Sequence, residues 1–397
     1  MISKIYQDII KKMRFILVAI IIYRIGVHIT VPGVDCLKVH NLIQANSAIS
    51  LFNMFSGGAF ERLSIFSIGL MPYISASIIM QVITGMFLDI EVSKHKLTSY
   101  LRYLTFMLSV IHSLVVSILF LEKSVVYYKK SVVYLTIILT FVTGAIFLMW
   151  LGEQITDKGI GNGISLIILS GLVSVIPNAL GRTLFLTIKY SSWLYIQIFK
   201  VVILVLITII LVVVIESGQR RIKVSYPRRL IGKKLYATQS SYLPLKLNMA
   251  GVIPAIFASS SLIITASVGQ WINRSILPQL SPGQPLYIML FVLSVIFYSF
   301  FYTAIVLNAK EVSINLKKSG AFIHGMRPGK QTAGFISKVS SRLNWFGAIY
   351  IVFFSLIPQL IMVYCKIPFC GGGISILIMV VVVLDFLSQI QSYLMAN

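Results

Sequence analysis

The sequence is poor in charged residues and in cysteine. Only 11% of its 397 residues are charged while 57% are hydrophobic, a balance that excludes an ordinary soluble globular domain. The three cysteines, Cys36, Cys365 and Cys370, have neither a metal-ligand spacing nor the even count of a disulfide framework. We therefore interpret them as free thiols.

Groups of residues that carry catalysis are also missing from the sequence. There is no Ser/His/Asp or Cys/His arrangement, no metal-binding cluster and no phosphate-binding loop, so the sequence predicts neither an enzyme nor a bound metal or cofactor. The glycine-rich residues 159–163 follow an apolar segment rather than a strand, which argues against a nucleotide-binding loop. We interpret them as a tight reversal in which Asn162 or Ser165 caps the next helix.

Long apolar runs are abundant in this sequence. A membrane-spanning helix needs about 20 apolar residues, so the runs predict an all-α, polytopic membrane protein with ten transmembrane helices. The predicted spans are residues 15–31, 64–88, 103–121, 132–151, 160–180, 193–215, 247–268, 286–307, 343–364 and 371–394. The first span starts like a signal peptide but has no small-residue cleavage site, so we expect it to be retained. It contains Arg24, which we interpret as a snorkelling side chain near a packed interface, with a functional role as the alternative.

Positive charge is distributed unevenly between the two sides of the predicted bundle. Ten spans place both termini on one side, and the loops of that side hold 23 Lys and Arg residues against 9 on the other side. Because Lys and Arg accumulate in cytoplasmic loops, both termini are expected in the cytoplasm.

A repeated string divides the chain into two similar parts. Residues 69–77 (GLMPYISAS) are echoed by residues 251–259 (GVIPAIFAS), with five identities at a constant offset of 182 residues. The predicted topology passes the two copies through the membrane in opposite directions, as an inverted repeat requires. We therefore predict two inverted five-helix halves, residues 1–180 and 181–397, with the working site between them.

Polar residues within the predicted spans are few. Gln81 and Asn248 are candidates for a polar contact between the two repeated segments, with a lone hydrogen bond at a helix end as the alternative. Asp385 is the clearest intramembrane carboxylate. An ion-coupled transporter usually has several such groups, so their scarcity argues against that class of protein.

Two long loops, residues 216–246 and 308–342, concentrate basic residues on the side of the termini. Topogenic charge alone explains these residues, although a short turn would satisfy topology. Long loops with clustered arginines also suit a docking surface for phosphate groups or an acidic partner, and both interpretations stay open. Tyr226, Pro227, Pro328 and Gly329 favour a shaped hairpin over a flexible tail.

Six motifs, in this order along the chain, are similar to those of the SecY family of bacterial translocon subunits. They are residues 52–58 (FNMFSGG), 71–77 (MPYISAS), 149–156 (MWLGEQIT), 159–163 (GIGNG), 248–259 (NMAGVIPAIFAS) and 317–322 (KKSGAF). The resemblance extends from near residue 15 to near residue 390. It implies a channel in the bacterial inner membrane that passes unfolded secretory proteins across the membrane and membrane-protein segments sideways into lipid.

The resemblance also implies roles for individual residues. A short helix at residues 52–66 would plug the pore, and it includes Asn53, Met54, Phe55, Ser56, Gly57, Gly58, Glu61 and Arg62. An apolar pore ring would gate by dewetting and would consist of Leu70, Ile74, Ile164, Ile168, Ile256 and Ile378. A lateral gate would open between spans 2–3 and 7–8, where Gln81 and Asn248 would face each other.

Partners follow from the same resemblance. The basic loops would dock the ribosome and the SecA motor through Arg220, Arg221, Lys317, Lys318 and Arg327. SecE would clamp the two halves, and SecG would usually accompany it. Lys330 stands where the family commonly has an acidic residue, and Ser217 replaces a usual arginine, so both departures concern docking. A small-solute transporter and a docking scaffold without a pore are the alternative functions.

Overall fold

The protein is a helical bundle that carries a small antiparallel sheet at one end. The computed structural model describes residues 2–32, 34, 53, 56–86, 94–121, 130–190, 193–226, 230–231, 234–235, 240–259, 261–262, 284–365 and 373–396. Its helices are α1 (Ile2–His28), α2 (Met71–Met86), α3 (Lys94–Leu121), α4 (Lys130–Lys158), α5 (Gly163–Tyr190), α6 (Trp193–Ser217), α7 (253–259), α8 (Pro285–Val306), α9 (Ala309–Lys318), α10 (Lys330–Cys365) and α11 (Gly373–Ala396).

Each of the ten predicted spans overlaps one of these helices, which supports the all-α polytopic class. Residues 64–70 of the second span and 247–252 of the seventh are not helical, and residues 260 and 263–268 of the seventh lie outside the described residues. Within the described residues, five helical stretches are long and apolar enough to cross a membrane. They are Lys96–Ile118, Val132–Lys158, Pro285–Lys318, Lys330–Ile357 and Ile374–Met395. Shorter apolar stretches lie in α2, α5 and α6.

Several helices extend beyond the apolar runs that predicted them. Helix α3 begins at Lys94, inside a segment that the sequence suggested was a polar loop. Helix α10 begins at Lys330, well before the predicted span at residue 343. Hydropathy marks only the part of a helix that lies in the hydrocarbon layer, so polar ends that continue into water are not detected.

The segment expected to be a plug helix consists of turns over the described residues 56–70. Gly57, Gly58 and Gly69 have φ angles of 66°, 83° and 62°, and Leu63 has a φ angle of 40°. Positive φ is incompatible with a right-handed helix, so the predicted helix is wrong for this part of the segment. Backbone hydrogen bonds from Val31 to Leu63 and from Ile65 to Ile29 instead attach the segment to the end of α1.

The two long basic loops fold together. Strands β1 (Gln219–Ser225) and β4 (Ser240–Lys246) form an antiparallel hairpin, with Gln219 opposite Lys246. A short strand from the second loop, β5 (Phe322–Ile323), pairs antiparallel with the other edge of β1, so the strand order is β4-β1-β5. Two short strands, β2 (Leu230–Ile231) and β3 (Lys234–Leu235), pair separately between β1 and β4. The expectation of a shaped hairpin therefore holds.

The sheet has an apolar core of its own. Because side chains alternate along a strand, Ile222 and Val224 of β1 turn inward while Arg221 and Lys223 are exposed. The inward side chains pack with residues of α10, including the fully buried Ile336. This core fixes the basic sheet onto the membrane-spanning helix α10.

Two further clusters form the interior of the bundle. One contains Phe291 of α8, Ile351 of α10 and Leu377 of α11, all nearly inaccessible to solvent. The other contains Ile16 of α1, Leu148 of α4 and neighbouring parts of α5. Ile168 of α5 packs against both clusters, so the two predicted halves meet near this residue.

The first and last helices contact each other. Lys12 Nζ of α1 donates a hydrogen bond of 2.9 Å to Tyr393 Oη of α11, and that hydroxyl donates one of 2.8 Å to Asp8. The ammonium group also lies 4.1 Å from the centre of the Tyr393 ring. Both ends of the chain therefore lie at the same end of the bundle.

Candidate functional site

A small apolar cavity lies where the two predicted halves meet. Four of the six predicted pore-ring residues line it: Leu70, Ile74, Ile168 and Ile256. They come from the turn before α2, from α2 itself, from α5 and from α7. The remaining lining residues are Ser56, Ile68, Gly69 and Met71. The free space between these side chains is about the size of one water molecule, which is too small for a hydrated ion.

The other two predicted ring residues lie beside the cavity. Ile164 is one helical turn before Ile168 on α5 and packs in the cluster that holds Leu70. Ile378 of α11 is buried in the cluster that holds Ile256. The structure thus gathers the six residues around one apolar region, although Ile164 and Ile378 do not line the cavity itself.

The predicted plug residues lie next to this cavity. Ser56 lines it, and Gly57 and Gly58 follow in the left-handed conformation. Asn53 and Glu61 hold the segment's shape, because the Asn53 side chain donates to Glu61 Oε2 at 2.9 Å and accepts from the Glu61 backbone at 2.8 Å. Arg62 is exposed. Met54 and Phe55 lie outside the described residues.

Residues that the sequence did not assign to the plug also contact it. Tyr23 Oη of α1 donates to the carbonyl oxygen of Ser56 at 3.3 Å. Arg24 Nη1 donates to the carbonyl oxygen of Gly57 at 3.3 Å and to Ser174 Oγ of α5 at 2.7 Å. Arg24 therefore contacts the segment beside the cavity. A charge inside an apolar span was the available signal, but the sequence analysis interpreted Arg24 as a snorkelling side chain, with a functional role only as the alternative.

The two predicted gate residues do not hydrogen-bond to each other within the described part of the chain. The Asn248 amide nitrogen donates to Glu216 Oε1 at 2.7 Å and to the carbonyl oxygen of Gly251 at 3.1 Å. Asn248 Oδ1 and Gln81 Oε1 are buried acceptors with no partner among the described residues. Two acceptors cannot bond to each other. The helices of the expected gate do meet, because α2 contacts α8.

A half-buried carboxylate, that of Glu216, stands at the end of α6, just past the predicted span that ends at residue 215. Burial raises the pKa of Glu216, and the hydrogen bond from Asn248 and the charge of Lys246 lower it in part. Lys246 forms a 3.1 Å ion pair with Asp385, and both side chains are at least half exposed. Asp385 therefore pairs with a basic residue of β4, and it lies within Ile374–Met395, a stretch long and apolar enough to cross a membrane.

All five predicted docking residues are exposed at the sheet end of the bundle. Arg220 and Arg221 lie on β1. Lys317 and Lys318 lie in the last turn of α9, where the helix dipole stabilises positive charge. Arg327 lies in the turn before α10, and its carbonyl oxygen accepts a 2.9 Å hydrogen bond from Thr332. The pairing of β1 with β5 joins the two basic loops into one surface.

Comparison with known proteins identifies the family. A family model described as SecY matches residues 64–387. The chain is 46% identical to the Protein translocase subunit SecY of Pseudomonas aeruginosa, over 97% of this chain and 91% of the relative. It is 43% identical to that of Escherichia coli K12, over 98% of this chain and 92% of the relative. The chain belongs to the SecY family.

Solved structures share the fold of this SecY-family chain. A structure described as that of a protein conducting channel has a TM-score of 0.67 at 18% identity, covering 97% of this chain and 92% of that one. The Sec61 channel of a canine ribosome-channel complex has a TM-score of 0.68 with the same identity and coverage. Together with the apolar helices, the family membership makes this chain a multi-pass membrane protein.

Proposed function

We propose that this chain is the channel subunit of a bacterial protein translocase, which passes unfolded polypeptides across the membrane and apolar segments sideways into lipid. One observation carries the proposal. Side chains from the first predicted half (Leu70, Ile74 and Ile168) and from the second (Ile256) line one small cavity, which Ser56 of the predicted plug also lines. The name of the bacterial relatives, protein translocase subunit, supports the same function.

The chemistry of this cavity suits a polypeptide of any sequence. An apolar ring excludes ions by dewetting and needs no specific ligand group. Branched aliphatic side chains from separate helices move apart with those helices, and they close again around an extended chain. The six ring residues present no side-chain hydrogen-bond donor or acceptor that would select one substrate.

A lateral exit requires two helices that separate. Helices α2 and α8 contact each other at the junction of the two halves, which is where the exit is proposed. Gln81 on α2 and Asn248 just before α7 each have a buried side-chain amide oxygen with no hydrogen-bond partner in the described part of the chain. Such groups gain hydrogen bonds when water or a polypeptide enters, so they favour opening over permanent closure.

The proposed partners follow from the exposed basic surface and from the relatives. The ribosome and the SecA motor dock on the sheet end, with Arg220, Arg221, Lys317, Lys318 and Arg327 as contacts. Solved relatives of the same fold in ribosome complexes support the ribosome as a partner. SecE and SecG complete the translocase in the inner membrane, and the excess of basic residues places both termini in the cytoplasm.

Site-specific crosslinking tests the proposal. With the three native cysteines replaced by serine, Ile74→Cys and Ile256→Cys are expected to crosslink to a secretory chain stalled during translocation. Leu135→Cys, on the exposed face of α4, is the control and is expected to give no crosslink. A stalled chain that reaches neither Ile74→Cys nor Ile256→Cys, in protein that is correctly inserted, contradicts a path between the halves.

A further inference from the structure

The plug segment is held by polar contacts that take no part in lining the cavity. Arg24 Nη1 of α1 lies 2.7 Å from Ser174 Oγ of α5 and 3.3 Å from the carbonyl oxygen of Gly57. Tyr23 Oη lies 3.3 Å from the carbonyl oxygen of Ser56. Two helices and the plug segment are therefore joined at one place.

The direction of each hydrogen bond is set by the chemistry of the groups. A guanidinium group only donates, so Arg24 donates both to Ser174 and to Gly57. Ser174 Oγ lies 2.6 Å from the carbonyl oxygen of Gly171 and 3.4 Å from that of Gly57. Its single proton favours the nearer oxygen, which leaves the hydroxyl oxygen to accept from Arg24. Hydrogen bonds from a charged donor are about twice as strong as neutral ones.

Close packing coincides with these hydrogen bonds. A Cβ atom added to Gly57 would lie 2.7 Å from Gly171 Cα, and one added to Gly171 would lie 3.0 Å from Tyr23 Oη and 3.3 Å from Gly57 Cα. The plug backbone at Gly57 therefore contacts α5 at Gly171, close to the hydrogen bond between Arg24 and Ser174. The same two glycines permit the approach that brings the carbonyl oxygens to their donors.

We propose that Tyr23, Arg24 and Ser174 form a latch that holds the plug segment in its closed position. The proposal rests on the channel function proposed above and adds a regulatory element to it. The latch binds backbone carbonyl oxygens, so it does not depend on the side chains of the plug. These three are positioning residues: the plug leaves only when Gly57 and Ser56 give up their donors, and the latch thereby sets how often the resting channel leaks.

Ion leak through the resting channel measures the strength of the latch. The full chain is purified with its accompanying subunits and reconstituted into liposomes without a substrate. Arg24→Leu and Ser174→Ala each remove one side of the central hydrogen bond, and Gly171→Ala forces the plug away from α5. Each is expected to raise the leak about tenfold, a shift of about 1.4 kcal/mol in the closed-to-open equilibrium. The double variant Arg24→Leu/Ser174→Ala is expected to leak no more than Arg24→Leu alone.

Matched variants in the same bundle provide the controls. The Ser109 hydroxyl of α3 also donates to the carbonyl oxygen three residues earlier, that of Phe106, at 2.7 Å. This hydrogen bond lies within α3 rather than at the plug, so Ser109→Ala is expected to leave the leak unchanged. Gly181→Ala lies on the same helix as Gly171, in a place where an added Cβ meets no atom within 4 Å. It is also expected to leave the leak unchanged.

The outcomes separate the latch from the channel function. If folded Ser174→Ala and Gly171→Ala leak no more than the unchanged protein, the latch proposal is wrong, whether or not Arg24→Leu folds. Two other measurements test the channel function independently of the latch. They are the ion leak after deletion of residues 53–62 and the transport of a secretory precursor by the unchanged protein. If the deletion variant leaks and the unchanged protein transports the precursor, the channel function is supported even when the latch proposal is wrong. If the deletion does not leak and no precursor crosses, the channel function itself is wrong.

Discussion

The packing of the basic sheet on α10 gives a prediction whose size follows from the structure. Ile336 is fully buried beneath the sheet, in the cluster that contains Ile222, Val224 and Ile323. Ile336→Ala removes three carbon atoms, which costs about 2.4 kcal/mol at about 0.8 kcal/mol for each buried methylene. The cavity that remains brings the range to about 2–5 kcal/mol. The backbone hydrogen bonds of α10 do not depend on this side chain. We therefore expect the substitution to weaken the attachment of the sheet to α10 rather than the helix itself.

Hydrogen exchange of the β1 and β4 amides measures this loss directly. A cost of 2–5 kcal/mol raises the open population of the sheet by roughly 30-fold to several thousand-fold. Amides that pair in the β1–β4 ladder are therefore expected to exchange faster by at least 30-fold, while amides in α8 keep their protection. Ile336→Val removes one methyl group and is expected to cost about 0.5–1.5 kcal/mol.

A neighbouring surface position is the control for this experiment. Lys338 lies on the exposed face of α10, and Lys338→Ala is expected to change stability by less than about 0.5 kcal/mol. If Ile336→Ala leaves exchange in β1 and β4 at the level of Lys338→Ala, the sheet does not depend on α10 and the reasoning is refuted.

Three further predictions concern other parts of the chain. Arg327→Ala is expected to weaken ribosome binding, most clearly at low salt, and to leave the resting ion leak unchanged. If the variant and the unchanged protein bind the ribosome equally at all salt concentrations, the result argues against the docking surface. Asn344 Oδ1 lies 2.8 Å from each of the Ser299 and Thr303 hydroxyls, and Asn344→Leu removes this acceptor. The substitution is expected to lower the free energy of unfolding in detergent by about 1 kcal/mol. An unchanged unfolding midpoint would be the contrary result. Because burial raises the pKa of Glu216, the folded state binds that proton more tightly than the unfolded state, so the protein should lose stability relative to Glu216→Gln as pH rises through the raised pKa. Parallel stability curves for the two proteins would contradict this.

The sequence was sufficient to locate the apolar helices because the bilayer imposes a fixed apolar length on each of them, but it did not reveal α9, which lies in a segment interpreted as a loop. It did not reveal where the helices end outside the bilayer, as at Lys94 and Lys330, since water places no such demand on composition. The resemblance to the SecY family assigned Leu70, Ile74 and Ile256 to one ring, and the structure places these three around one cavity. Their proposed role in gating stays a prediction.

Contacts between residues far apart in the chain could not be predicted from the spacing of residues in the sequence. Gln81 and Asn248 looked like partners because each is a polar residue in an apolar repeat. The Asn248 amide instead reaches Glu216, which lies at the end of α6, although the sequence analysis assigned residue 216 to a loop. Arg24 was noted as a charge in a span, but its acceptors depend on the turns at Gly57 and on Ser174, far away in the chain. A period or a motif describes one segment, whereas these bonds depend on how three segments approach one another.

The three-stranded sheet has a consequence for exchanging parts between relatives. Strand β5 comes from one loop and β1 and β4 from the other, with Val224 opposite Ile323, and all three share the core on α10. A chimera that replaces residues 216–246 alone would place foreign side chains against a native strand and a native helix. The smallest transplantable part is therefore the hairpin together with β5 and the first turns of α10, which a graft must carry as one piece.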